Sequence, residues 1–123
     1  MLNLEKPDFD FFFRSASGSE CRVTDEDLTA SFIVAPSRLI RDWNVRGIGE
    51  LTEATLGPVL ELAPEVIVLG TGDGQVFPSV EIMRFCASRR IGLEVMNNAS
   101  AARTYNILAG EGRQVVAAMI LGS

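Results

Sequence analysis

Three short strand-like stretches, Val66–Leu69, Leu93–Met96 and Val115–Leu121, constrain this chain most, because two stretches with helix signals separate them. The first and third are compact apolar runs without alternation, which read as strands covered on both faces. Between the first two, Ser79 follows Pro78 and can cap a helix running to about Arg89. Glu81 falls in its first turn and Arg89-Arg90 in its last, as the helix dipole favours, and Gly92 ends it. Between the second and third, Asn97 or Asn98 caps a helix to about Ala109, ended by Gly110 and Gly112. Strand, helix, strand, helix, strand with short joints predicts a parallel three-stranded βαβαβ core with right-handed crossovers. Ahead of it, Thr52 to Ala63 predicts a helix whose regular part begins near Thr55, because Pro58 fits only the first turn.

The first third has a different period. Phe9, Phe11 and Phe13 alternate with Asp10, Phe12 and Arg14, and Ser15 to Ser19 reads as a turn. Cys21 and Val23 alternate as a return strand, and Asp25-Glu26-Asp27 reads as a polar turn. Leu28 to Val34 is a third strand broken by Pro36-Ser37, and Arg38 to Trp43 a short fourth. The expectation is a single α/β domain over 1–123, three-layer-like with a mixed sheet. It comprises an antiparallel β meander over about 9–43 and the βαβαβ part over about 52–122. The sequence leaves open whether the Phe9–Phe13 strand pairs within the chain or across a dimer.

A chain of 123 residues can hold a core without disulfides or a metal. Its apolar share of 47%, with 11 glycines besides, exceeds the usual fraction and argues for a self- or partner interface. The net charge is −5; residues 1–61 carry 11 acids and 6 bases, and residues 62–123 carry 5 of each. With no basic stretch, a nucleic-acid face is not expected. The chain has no His, which excludes Ser-His-Asp and Cys-His catalysis and His-ligated zinc. Cys21 and Cys86 are too far apart for CxxC chemistry and read as reduced intracellular thiols. The acidic start carries no targeting signal, and no apolar run spans a bilayer, so a cytoplasmic location is expected.

Gly70-Thr71-Gly72-Asp73-Gly74 follows a strand, so its backbone N–H groups could converge on an anion. The following helix starts too late for a dinucleotide fingerprint, and the plain reading is a flexible turn. Asn97-Asn98-Ala99-Ser100 with Arg103 offers a capped helix start and a cation one turn on. Both features follow the C-terminal ends of parallel strands, where open α/β sheets bind ligands. Tyr105 and Asn106 lie mid-helix, where Asn106 reads as a structural hydrogen-bonder to a loop backbone and Tyr105 lacks a partner for acid–base work. Cys86 reads as core, on an apolar helix face that it forms by spacing with Val80, Met83 and Ala87. Arg84, Arg89 and Arg90 read as a solvated helix face, and Trp43 with Ile40 and Val45 as core or an interface anchor. No catalytic set, metal site or cofactor is expected.

Residues 66–78, Gly92-Leu93-Glu94-Val95-Met96 and Arg103 to Arg113 resemble a family of small α/β domains of unknown function. Its relatives include a mitochondrial assembly factor of respiratory complex I and an adipogenesis-associated protein. The similarity covers roughly residues 30–122, and the implied fold is α/β with a mixed sheet. The resemblance implies no catalytic residues. It marks Gly70, Thr71, Gly72, Phe77, Pro78, Met96, Arg103, Thr104, Tyr105 and Asn106 as signature positions.

The leading expectation is a non-enzymatic binding module that assists assembly of a respiratory or other membrane-associated complex through an unidentified protein partner. The alternative is a binder of an anionic small molecule, or an enzyme, at the strand-end edge, with Gly70, Thr71, Gly72, Asn97, Asn98, Ser100, Arg103 and Tyr105 as its face. A homodimer is compatible with either.

Overall fold

The computed structural model describes residues 8–122. Strands β1 (Phe13–Ala16), β2 (Cys21–Val23), β3 (Glu26–Leu28), β4 (Phe32–Ala35) and β5 (Arg38–Ile40) come first. They are followed by a one-turn helix α1 (Gly57–Leu60), β6 (Val66–Gly70), α2 (Val80–Ser88), β7 (Gly92–Met96), α3 (Asn98–Gly110) and β8 (Val115–Met119). β1, β2 and β3 form an antiparallel three-stranded sheet, and the other strands form a five-stranded sheet in the order β5-β4-β8-β6-β7. β6 lies between β7 and β8 and is parallel to both, with Val66 opposite Gly92 and Val115. β4 runs antiparallel to β8 and to β5. The predicted α/β class, with its parallel three-stranded core and antiparallel extension, is the one observed.

The five-stranded sheet is the middle layer. Val66, Val68, Val115, Ala117, Met119, Phe32 and Val34 face α3 and the three-stranded sheet, meeting Ala101, Ala102, Tyr105, Cys21 and Val23. Ile67, Leu69, Val116, Ala118 and Ile33 face the other way, toward Trp43, Leu56, Val59, Ile82 and Cys86. Alternate residues of one strand therefore feed two cores, which is why β6 and β8 are apolar without alternation. Each fully buried Val, Leu or Ile contributes about 1.5–3 kcal/mol. The ion pairs Arg14–Asp25, Arg22–Asp27, Arg41–Glu26 and Arg113–Glu65 are exposed, where solvent screening leaves them little stabilising worth. Burial on the two faces of the sheet decides the fold.

Several boundaries differ from the pattern reading. The first strand starts at Phe13 and takes in Ser15 and Ala16, which read as turn. The Phe9–Phe13 segment instead crosses the chain's own backbone. The N–H groups of Asp10 and Phe11 donate to the Pro36 carbonyl, and the Thr24 N–H donates to the Phe12 carbonyl. Its pairing is thus within the chain. Glu26 and Asp27 belong to β3 rather than to a turn, because the two-residue turn at Thr24-Asp25 is enough; Thr24 has a positive φ of 51°. Leu28 to Val34 is not one strand. It breaks at Thr29–Ser31 so that β3 and β4 enter different sheets. The helix of 52–63 shrinks to one regular turn. Arg90, with a φ of 59°, reverses the chain after α2, and Gly92 opens β7 instead. The α2 face is also rephased: Ile82 and Cys86 point inward, while Val80 and Met83 are exposed. Trp43 is core, its indole N–H donating to the Thr55 carbonyl at 2.8 Å.

Cys21 and Cys86 are free, buried and in different cores. Burial pushes the Cys21 thiol up to about 11 and raises Cys86 as well. Both should react with a disulfide reagent roughly tenfold or more slowly in the folded protein than in denaturant. Rapid labelling of either thiol under native conditions would contradict this burial.

Candidate functional site

The glycine loop and the start of α3 do meet at the C-terminal edge of the parallel strands. Their polar groups, however, bond mainly to one another. Asn97 is the N-cap of α3 and its side chain accepts from the Ser100 N–H at 2.8 Å. Asn98 is fully buried. Its Oδ1 accepts from the Gly72 N–H at 3.0 Å, and its Nδ2 donates to the carbonyls of Ser17 at 2.9 Å and Ile120 at 3.0 Å. Its own N–H donates to the Gly72 carbonyl at 2.8 Å. One side chain thus ties the glycine loop, the β1–β2 turn and the end of β8 to the helix start. Gly70 has to be glycine here, since an added Cβ would collide with Asn98 Oδ1 and the Met119 thioether.

Thr71 closes the loop on itself. Its hydroxyl donates to the Gly74 carbonyl at 2.6 Å and accepts from the Val76 N–H at 3.1 Å. Gly72 takes a φ of +98°, a region that favours glycine. Asp73 extends the stitch, accepting from the Gly18 N–H at 2.8 Å. A Cβ on Gly18 would come within 2.5 Å of that carboxyl. Sequence reasoning missed Gly18 and Asp73 as a pair. They lie 55 residues apart, and no local pattern joins them.

Arg103 is exposed, and its guanidinium reaches the Ser100 hydroxyl at 3.1 Å. Tyr105 is not on this face at all. It is buried to zero exposure between the two sheets, with its hydroxyl donating to the Phe11 carbonyl at 2.8 Å. Burial raises its pKa, so it is held as a phenol. Asn106 is the hydrogen-bonder expected, but its partner is a strand. It accepts from the Phe13 N–H and donates to the Phe13 carbonyl, both at 2.9 Å. A cleft of about 270 Å³ beside the loop is lined by Gly18, Arg46, Thr71, Gly72, Asp73 and Ile120. Among the described residues, no three His, Cys, Asp or Glu side chains gather to hold a metal. No helix of the described residues is long and apolar enough to cross a membrane.

A second surface lies on the α2 side. Phe77 is 59% exposed, and Val76, Val80 and Met83 are exposed beside it. Phe77 and Met83 form, with Ala87, Ile91, Leu93 and Val95, a groove of about 240 Å³ along β7. β7 is an edge strand of the five-stranded sheet. The sequence pattern grouped Val80 and Met83 with Cys86 on a core-facing stripe, whereas Cys86 is buried and Val80 and Met83 are exposed.

The solution structure of Xanthomonas campestris XCC1710 has this fold, at 49% identity and a TM-score of 0.86 over 98% of this chain and 92% of that one. The NADH dehydrogenase (ubiquinone) 1 alpha subcomplex assembly factor 3 of Xenopus tropicalis is 28% identical over 98% of this chain and 67% of that protein. A 13 kDa major membrane protein of Francisella tularensis is 34% identical over 55% of each chain. In the assembly factor 3 of Drosophila melanogaster the match spans only 44% of the relative's length. Residues 13–120 match the family described as "Protein of unknown function (DUF498/DUF598)", to which this chain belongs.

Proposed function

We propose that this chain is a protein-binding module that assists assembly of a multisubunit respiratory or other membrane-associated complex, without catalysing a reaction. The observation that carries the reading is the apolar groove in which the exposed Phe77 and Met83 meet Ala87, Ile91, Leu93 and Val95 along the edge strand β7. Contiguous exposed apolar surface of this kind marks interaction sites. The names of the Xenopus and Drosophila relatives support the same role. The internal bonding of Thr71, Asn97 and Asn98 supports it too, since those groups are engaged in holding the loop.

The test is a tagged pull-down from the source organism, solubilised membranes included, read by quantitative mass spectrometry. Subunits of NADH dehydrogenase or its assembly proteins should be enriched over an untagged control. The enrichment should disappear with Phe77→Ser/Met83→Ser, which alters exposed side chains only, and persist with Arg103→Ala. Equal recovery from tagged and untagged cells would overturn the assembly role. Loss with Arg103→Ala alone would move the partner to the strand-end edge.

A further inference from the structure

We propose that the β7 edge and the α2 groove together form a strand-addition site for an extended, acidic and apolar segment of a partner protein. The inference rests on the protein-binding role above and specifies the chemistry of what binds.

The parallel register of β6 and β7 decides which backbone groups face outward. The Gly92 N–H donates to the Glu65 carbonyl, and the Met96 carbonyl accepts from the Thr71 N–H, both at 3.0 Å. In a parallel ladder alternate residues turn both groups toward the same neighbour. Gly92, Glu94 and Met96 therefore face β6, and Leu93 and Val95 present their N–H and C=O groups to the outside. The Val95 carbonyl is met by Gln75 Nε2 at 2.9 Å, a side-chain bond that an incoming backbone N–H can replace. An extended peptide satisfies this row of groups, and its alternate side chains fall on the α2 side. There they meet the groove of Phe77, Met83, Ala87, Ile91, Leu93 and Val95.

Charge selects the occupant. The chain carries −5 overall, yet Arg84 and Arg90 adjoin the groove residues Met83 and Ile91 in the chain, while Arg89 stacks on Phe85 and the exposed Glu94 of β7 alternates with Leu93 and Val95. The ion pairs among the described residues all use other arginines. This rim favours Asp and Glu flanking the apolar pair of the incoming strand. A second copy fits less well, because an isologous β7–β7 contact sets one basic α2 rim against another. A lipid surface would satisfy the charge and the apolar side chains but not the ordered N–H and C=O groups of Leu93 and Val95.

The probe is a random dodecapeptide display library selected on the purified full chain. Enriched peptides should carry apolar residues two apart, flanked by Asp or Glu. Titrating one of them should slow amide exchange at Leu93 and Val95 roughly tenfold or more. Arg84→Glu/Arg90→Glu should weaken its binding by a similar factor, and Arg38→Glu on the opposite edge strand should not. The proposal falls if no peptide is enriched, if bound peptides leave those two amides unchanged, or if the amides slow with protein concentration alone, which would indicate a second copy. It also falls if α2 responds to phosphatidylglycerol vesicles and to no peptide. A pull-down in which Arg84→Glu/Arg90→Glu keeps its respiratory partners would sink the strand-addition site while leaving the assembly role standing. Peptide binding without any cellular partner would do the reverse.

Discussion

Asn98→Asp should lower the unfolding free energy by about 3–5 kcal/mol at neutral pH, the cost of an uncompensated buried charge. The position is fully buried, and its amide nitrogen donates to the carbonyls of Ser17 and Ile120. A carboxylate there would remove both donors and place negative charge against two carbonyl oxygens. The oxygen that accepts from Gly72 would survive, so the loss comes from the other half of the group. Burial without a cation raises the new carboxyl's pKa in the folded state above its unfolded value of about 3.9. The variant's deficit relative to the parent should then be smallest below that unfolded value. It should grow as pH rises toward the folded pKa and level off above it. Urea titrations of both proteins across this range would show it. Asn97→Ala provides the contrast: it removes one cap bond and should cost about 1 kcal/mol. Equal effects at the two neighbours would mean that Asn98 is not the tie described above.

Tyr105→Ala should cost about 3–5 kcal/mol, the usual penalty for deleting a buried aromatic ring. The ring meets Phe13 with centroids 5.3 Å apart and Phe9 at 6.3 Å, both edge-on. With the two Asn106–Phe13 hydrogen bonds, it fastens α3 to β1 of the three-stranded sheet. Tyr105→Phe keeps the ring and loses only the bond to the Phe11 carbonyl, so about 1 kcal/mol is expected. The ratio between the two separates ring packing from hydrogen bonding. A Tyr105→Phe variant as unstable as Tyr105→Ala would overturn the packing account. Chemical denaturation with an unchanged m-value would confirm that stability alone has moved.

Much of the candidate site was readable locally. Ser79 and Asn97 are caps because a short acceptor side chain before a helix satisfies an orphan N–H, and that relation spans only three residues. The glycine loop was legible as a turn for the same reason. What was not legible is what these residues touch across the chain. Asn98 reads in sequence as a second possible cap, and Tyr105 as a group on a helix face. The structure turns both inward, because α3 packs on the five-stranded sheet and β1 with Ala101, Ala102, Tyr105 and Ala109 buried. The α2 face was misread in phase because Val80, Met83 and Ala87 are as apolar as the residues that are buried. Helical spacing names a stripe but not the side on which the sheet lies.

Fold class and the order of the elements are written in local pattern. Compact apolar runs, caps and glycines act within a few residues, so period and punctuation carry them. Long-range packing parts β3 and β4 into different sheets. The same packing places β6 between β7 and β8, joins Gly18 to Asp73, and leaves β7 at the sheet edge beside Phe77 and Met83. Those outcomes depend on which surfaces of distant segments fit together when two cores form on opposite faces of one sheet, and no local pattern encodes that choice.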